Sequence, residues 1–137
     1  MKGKYFFKAI PRWIPTVIII SISWYLSSRE HVEHMPSFWN ADKAVHFFCF
    51  GGLCFWISFA CRTKTFSRVW IPVIITSFYG IIDEIHQSFV PGRSCSVFDW
   101  IADTSGAIFG AVLFVFMAAK LSKAKKNNSI KVMSNFH

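Results

Sequence analysis

Charge is scarce in this 137-residue sequence: 16% of its residues are Asp, Glu, Lys or Arg, and only seven are acids. So low a charge content, beside 53% hydrophobic residues, 16 Phe and 6 Trp, does not suit a soluble domain. No CxxC pair is present among the four cysteines (Cys49, Cys54, Cys61 and Cys95), so the usual zinc and dithiol spacings are absent. Small buried hydrophobes are the expected role for these thiols. HExxH is also missing, although Glu30, His31, Glu33 and His34 crowd one short loop; a solvated loop is the expectation there. No internal repeat, low-complexity run or nucleophile motif is found, and Ser94 and Ser96 read as ordinary loop residues.

What is present are apolar runs near the ~20 residues needed to span ~30 Å of hydrocarbon. They predict spans at about 13–28, 42–61, 69–90 and 97–119. A basic lead (1–12) precedes them and a basic, Asn/Ser-rich tail (120–137), expected to be disordered, follows. The bulky SWYLSS after the first run gives no small-x-small cleavage site, so a retained helix is expected rather than a signal peptide. The expected fold is all-α, an integral membrane four-helix bundle, because an open sheet leaves its backbone unsatisfied in lipid. Asn40 and Asp42 are the expected caps of the second span. Gly106 and Gly110 form a GxxxG, a face for close helix contact and the expected face of a homo-oligomer.

The net charge of +8 invites a nucleic-acid partner, but the distribution argues for topology instead. Lys2, Lys4, Lys8 and Arg12 lie in the lead, Arg62, Lys64 and Arg68 in the middle loop, and Lys120, Lys123, Lys125, Lys126 and Lys131 in the tail. These three segments hold no acid. The expectation is a multi-pass protein of the bacterial cytoplasmic membrane with both termini in the cytoplasm, the lipid bilayer as partner and no nucleic acid.

All seven acids then fall in the outer loops or outer helix halves. Asp42 and His46 share a helix face, as do Asp83, His86 and Gln87, and as do Asp99 and Asp103. Glu84 lies one position round from Asp83 and shares a face with Gln87. Asp83 sits eight residues before Pro91, on the order of 12 Å down the helix. A charged group at such depth costs roughly 2.5–3.5 kcal/mol against lipid, so these groups are expected to face a shared interior cleft. The candidate ligand-binding set is Asp42, Lys43, His46, Asp83, Glu84, His86, Gln87, Arg93, Asp99 and Asp103. The planar fork of Arg93 suits a carboxylate or a phosphate. Candidate acid–base residues are Glu84, His86 and His46. A divalent metal, if used, has His46, Glu84, His86 and Asp103 as candidate ligands; Mg²⁺ or Mn²⁺ suits oxygen ligands, and more histidine favours Zn²⁺. The alternative is a buried ion-pair network that only fixes helix register.

Read together, Asp42-Lys43-x-x-His46-Phe47, Tyr79-Gly80-x-x-Asp83-Glu84-x-His86-Gln87-x-Phe89-x-Pro91-Gly92-Arg93, Asp99 and Asp103-Thr104-x-Gly106-Ala107-x-x-Gly110 resemble the VanZ-like family of small bacterial membrane proteins. The resemblance covers about residues 42–110. It departs from the family pattern at Asp103, where asparagine is usual. The family takes its name from a protein linked to reduced susceptibility to the glycopeptide teicoplanin, so the resemblance implies an envelope location and that class of phenotype, but no reaction. Three functions fit: an envelope protein binding a lipid-linked or glycopeptide ligand, a membrane enzyme (a hydrolase or transferase, with or without a metal) acting on an outer-leaflet lipid or cell-wall intermediate, and an ion-coupled carrier. Four spans are few for the last.

Overall fold

The computed structural model describes residues 10–30 and 40–134. Among them are four α-helices: α1 (Ile10–Ser27), α2 (Ala41–Ala60), α3 (Trp70–Gln87) and α4 (Val97–Ser134), with a 3-10 turn at Phe66–Arg68. The expected all-helical fold is what the structure shows. Three of the helical segments, Ala41–Ala60, Phe66–Gln87 and Val97–Val132, are long and apolar enough to cross a membrane. The first helix falls outside that group: its 18 residues include Arg12, two prolines and four serines or threonines.

Local chemistry sets the ends. Pro11 falls in the first turn of α1 and Pro72 in the first turn of α3, where backbone N–H groups have no helical acceptor; Pro15 lies inside α1 and leaves the Pro11 carbonyl without its helical donor. Thr76 returns its hydroxyl to the Pro72 carbonyl at 2.8 Å. Asn40 occupies the cap position of α2 in a left-handed conformation, φ 58°, but its side chain makes no capping bond, contrary to the sequence expectation. Helix α2 ends in a Schellman arrangement: Thr63 N–H donates to the Ser58 carbonyl at 3.0 Å and Arg62 N–H to Phe59 at 3.1 Å. Arg62 takes the left-handed position, φ 54°, that usually favours glycine. Helix α3 stops before Pro91-Gly92, where Gly92 has φ 77°. Ser96 caps α4: its Oγ accepts from Asp99 N–H at 3.2 Å.

The tail departs from expectation. Helix α4 runs on without a break to Ser134 instead of giving way to disorder after Ala119. No proline or glycine follows Gly110, and Lys, Ala and Leu are good helix formers. From Ala119 to Val132 every side chain is exposed.

The bundle is built on α2 and α4, its most extensive helix pair. A Cβ added to Gly106 would collide with the Phe47 carbonyl, and one on Gly110 with the Gly51 carbonyl. The glycine face is therefore packed against α2 of the same chain, the close helix contact expected of it. Helix α1 packs on α2 and α3. Phe50, Leu53 and Ile57 form one core cluster, with Ile19, Ile20, Cys49 and Tyr79 against it. Cys54, Ala107 and Ala111 form the other, beside Val69 and Val73. Outward, the helices expose Ile14, Val17, Ile74, Phe78, Ile85, Ile108 and Phe109, while Thr16, Ser23, Ser27, Thr76, Asp83 and Asp103 are buried. Apolar surface outside and polar groups inside is the arrangement a lipid solvent favours.

Candidate functional site

Three helix ends converge: the start of α2, the end of α3 and the start of α4. Asp103 is fully buried and Asp83 and Glu84 are each 2% exposed. His46 Nδ1 lies 2.9 Å from Asp103 Oδ1 and 4.0 Å from Glu84 Oε1. Gly80 makes room for Asp103, since a Cβ there would sit 3.0 Å from its Oδ2. Glu84 Oε2 accepts the Ser96 N–H at 2.6 Å, which ties α3 to the cap of α4.

A second chain of bonds runs along the neighbouring face of α3. Gln87 Nε2 donates to Asp83 Oδ2 at 3.0 Å, and Arg93 Nη2 donates to Gln87 Oε1 at 2.7 Å. At the rim Lys43 bridges Asp42 at 2.8 Å and Asp99 at 3.0 Å. Within the described residues, Asp83 Oδ1, Glu84 Oε1 and Asp103 Oδ2 are buried without hydrogen-bond partners. A register-fixing network would be expected to satisfy every member, and this one does not.

His86 stands apart from the rest. Its Nε2 lies 2.9 Å from Ser28 Oγ and its ring stacks on Trp24 at 4.0 Å between centroids. It faces α1, so the structure does not bring it to Glu84 as a joint acid–base or metal pair. The reason is geometric: residues two apart point about 200° from one another round a helix. Asp42 and His46 likewise do not meet, since Lys43 takes the first and Asp103 the second. Arg93 reaches Gln87 rather than a carboxylate. Of the loop cluster, His31, Glu33 and His34 lie outside the described residues; Glu30 is exposed.

Beside this cluster is a cavity of about 80 Å³. Its polar side is Ser23, Ser27, His46, Asp83, Gln87 and Arg93, and its apolar side Leu26, Val45, Cys49 and Phe50. Sequence reasoning missed the contribution of α1. The signal was available: Thr16, Ser23 and Ser27, at spacings of seven and four, lie on one stripe of an otherwise apolar helix. It also missed Ser96, although Ser96-Val-Phe-Asp99 has the S-x-x-D form of a helix start.

Fold and site together define a helical membrane protein with an acid-rich pocket inside its bundle. The VanZ/LLP1 family model matches residues 2–118, and the chain belongs to that family. The match takes in α1 and most of the lead, well beyond the 42–110 stretch that carried the resemblance. No curated protein and no solved structure matches the chain.

Proposed function

We propose that this VanZ-like membrane protein binds the anionic head group of a lipid-linked envelope ligand, a cell-wall intermediate or its carrier lipid, in the cavity between α1, α2 and α3. The observation that carries this reading is the cavity's division into a polar wall holding Arg93 and an apolar wall of Leu26, Val45 and Phe50. Its volume of about 80 Å³ has room for a few waters or one phosphate-sized group. Pockets that bury a whole drug-sized ligand run to ~300–1,000 Å³. That volume supports a head group rather than a whole glycopeptide as the occupant, and on this reading an effect on teicoplanin susceptibility would act through the lipid-linked ligand. The lipid tail would leave the cavity along Leu26 and Val45, which line it and are also exposed on the outer surface. The distribution of Lys and Arg favours an outward-facing cavity with both termini cytoplasmic, a topology that requires α1 to cross the membrane together with the three longer segments.

The test is binding of a polyprenyl diphosphate to the protein in nanodiscs. Arg93→Ala should weaken it by about 1.5–3 kcal/mol, the usual worth of a hydrogen bond to a charged group. Equal binding by Arg93→Ala would remove the basis of this reading. A second reading, a membrane hydrolase or transferase, draws on the His46–Asp103 contact at 2.9 Å, in which a buried carboxylate orients a histidine on the cavity wall. Turnover of the same lipid, lost in His46→Ala, would establish it in place of simple binding.

A further inference from the structure

We propose that His46, Glu84 and Asp99 hold a divalent cation where α2, α3 and α4 meet. One ligand atom from each lies within 4.8 Å of the others. The independent sign is Glu84. The residue is 2% exposed, its Oε2 is fixed by Ser96 N–H at 2.6 Å, and its Oε1 is left buried without a hydrogen-bond partner. That oxygen faces the group, 4.0 Å from His46 Nδ1. A buried carboxylate oxygen with nothing to bond is costly, and a coordinated cation removes that cost. Among the described residues no lysine or arginine pairs with Glu84; Lys43 stops at Asp42 and Asp99.

Asp103 completes the arrangement as a positioning residue. Its Oδ1 engages His46 Nδ1 at 2.9 Å and so orients the ring; with Nδ1 held in this way, Nε2 is assigned to the ion. One nitrogen and two carboxylate oxygens suit Mn²⁺ or Zn²⁺ better than Ca²⁺ or Mg²⁺, which take oxygen ligands. Ligand atoms ~2.1 Å from an ion lie about 3–3.5 Å from one another, so atoms up to 4.8 Å apart would close by up to roughly 1.3–1.8 Å on binding. His46 also lines the cavity, so the ion would add positive charge at its wall. The inference concerns the same cleft as the proposed function but does not depend on the ligand assigned to it.

The test uses the full-length protein in detergent, stripped with EDTA and titrated with Mn²⁺ alone, free Mn²⁺ being followed by electron paramagnetic resonance. One saturable site per chain is expected. It should be lost in Glu84→Gln and in Asp99→Asn, weakened about 10–100-fold in Asp103→Asn, and unchanged in Glu30→Gln. Helical circular dichroism and a monodisperse elution profile establish that each variant is folded; Asp99→Asn stands in should Glu84→Gln not fold. Mn²⁺ binding that persists in both ligand variants, or no saturable site for Mn²⁺ or Zn²⁺ in the parent, overturns the proposal. Lipid binding measured on the same stripped samples separates the two ideas: lipid without a metal site removes the ion alone, and a metal site without lipid removes the ligand alone.

Discussion

Gly110→Ala and Gly52→Ala are the same change on the two most closely packed helices, and they should have opposite effects. At Gly110 the new methyl group would overlap the backbone carbonyl of Gly51, so neither partner can turn a side chain away. Helices α2 and α4 must separate or slide. Overpacking of this kind costs typically 1–3 kcal/mol, and a backbone obstacle places it near ~3. Alanine recovers ~1 kcal/mol of helix propensity over glycine, so the net loss is about 2 kcal/mol. At Gly52 nothing lies within 4 Å of the added Cβ, and only the gain of up to ~1 kcal/mol remains. Reversible unfolding in mixed micelles, followed by circular dichroism against denaturing detergent, reads both. Gly110→Ala as stable as the parent, or Gly52→Ala as damaging as Gly110→Ala, would refute the α2–α4 packing described above.

Further outcomes concern caps and buried polar groups. Arg62→Gly should stabilise by about 1 kcal/mol in the same assay, since glycine relieves a left-handed position that costs other residues about 1–2 kcal/mol. His46→Leu, measured in EDTA, leaves the acids around it without their histidine and should cost ~3–5 kcal/mol; His46→Leu combined with Asp103→Leu should cost clearly less than the single change. Trp100→Phe removes an indole N–H that donates to Ser77 Oγ at 3.2 Å and to its carbonyl at 3.3 Å. A loss of about 0.5–1.5 kcal/mol on thermal unfolding is expected.

Much of the site was legible from spacing along single helices. Asp83 and Gln87, four residues apart, do bond, and the depth of Asp83 and Asp103 did signal burial. Contacts between helices were not legible in that way, because a helical wheel fixes angles within a helix but not its rotation against neighbours. His86 shows the difference: it shares a broad face with Asp83, yet the rotation of α3 turns it to Trp24 on α1 and to Ser28 just beyond the end of that helix. Asp42 and His46 also share a face, yet Asp42 pairs with its neighbour Lys43 and His46 crosses to Asp103 on α4. GxxxG correctly marked a tight contact, but the motif cannot say whether the partner helix belongs to the same chain. The tail misled because an Asn/Ser-rich, charged composition was weighed above the lack of any helix breaker after Gly110.

Whether the cavity between α1, α2 and α3 receives the lipid head group is most directly tested at Cys49, a half-buried thiol on its wall. With the exposed Cys61 and Cys95 changed to serine, and Cys54 fully buried as a slow internal reference, the alkylation rate of Cys49 can be followed in nanodiscs. Occupation of the cavity slows Cys49 modification as polyprenyl diphosphate is added, and Arg93→Ala shifts that protection to higher lipid concentration. Saturable lipid binding with an unchanged Cys49 rate would contradict the assignment and place the ligand elsewhere on the protein.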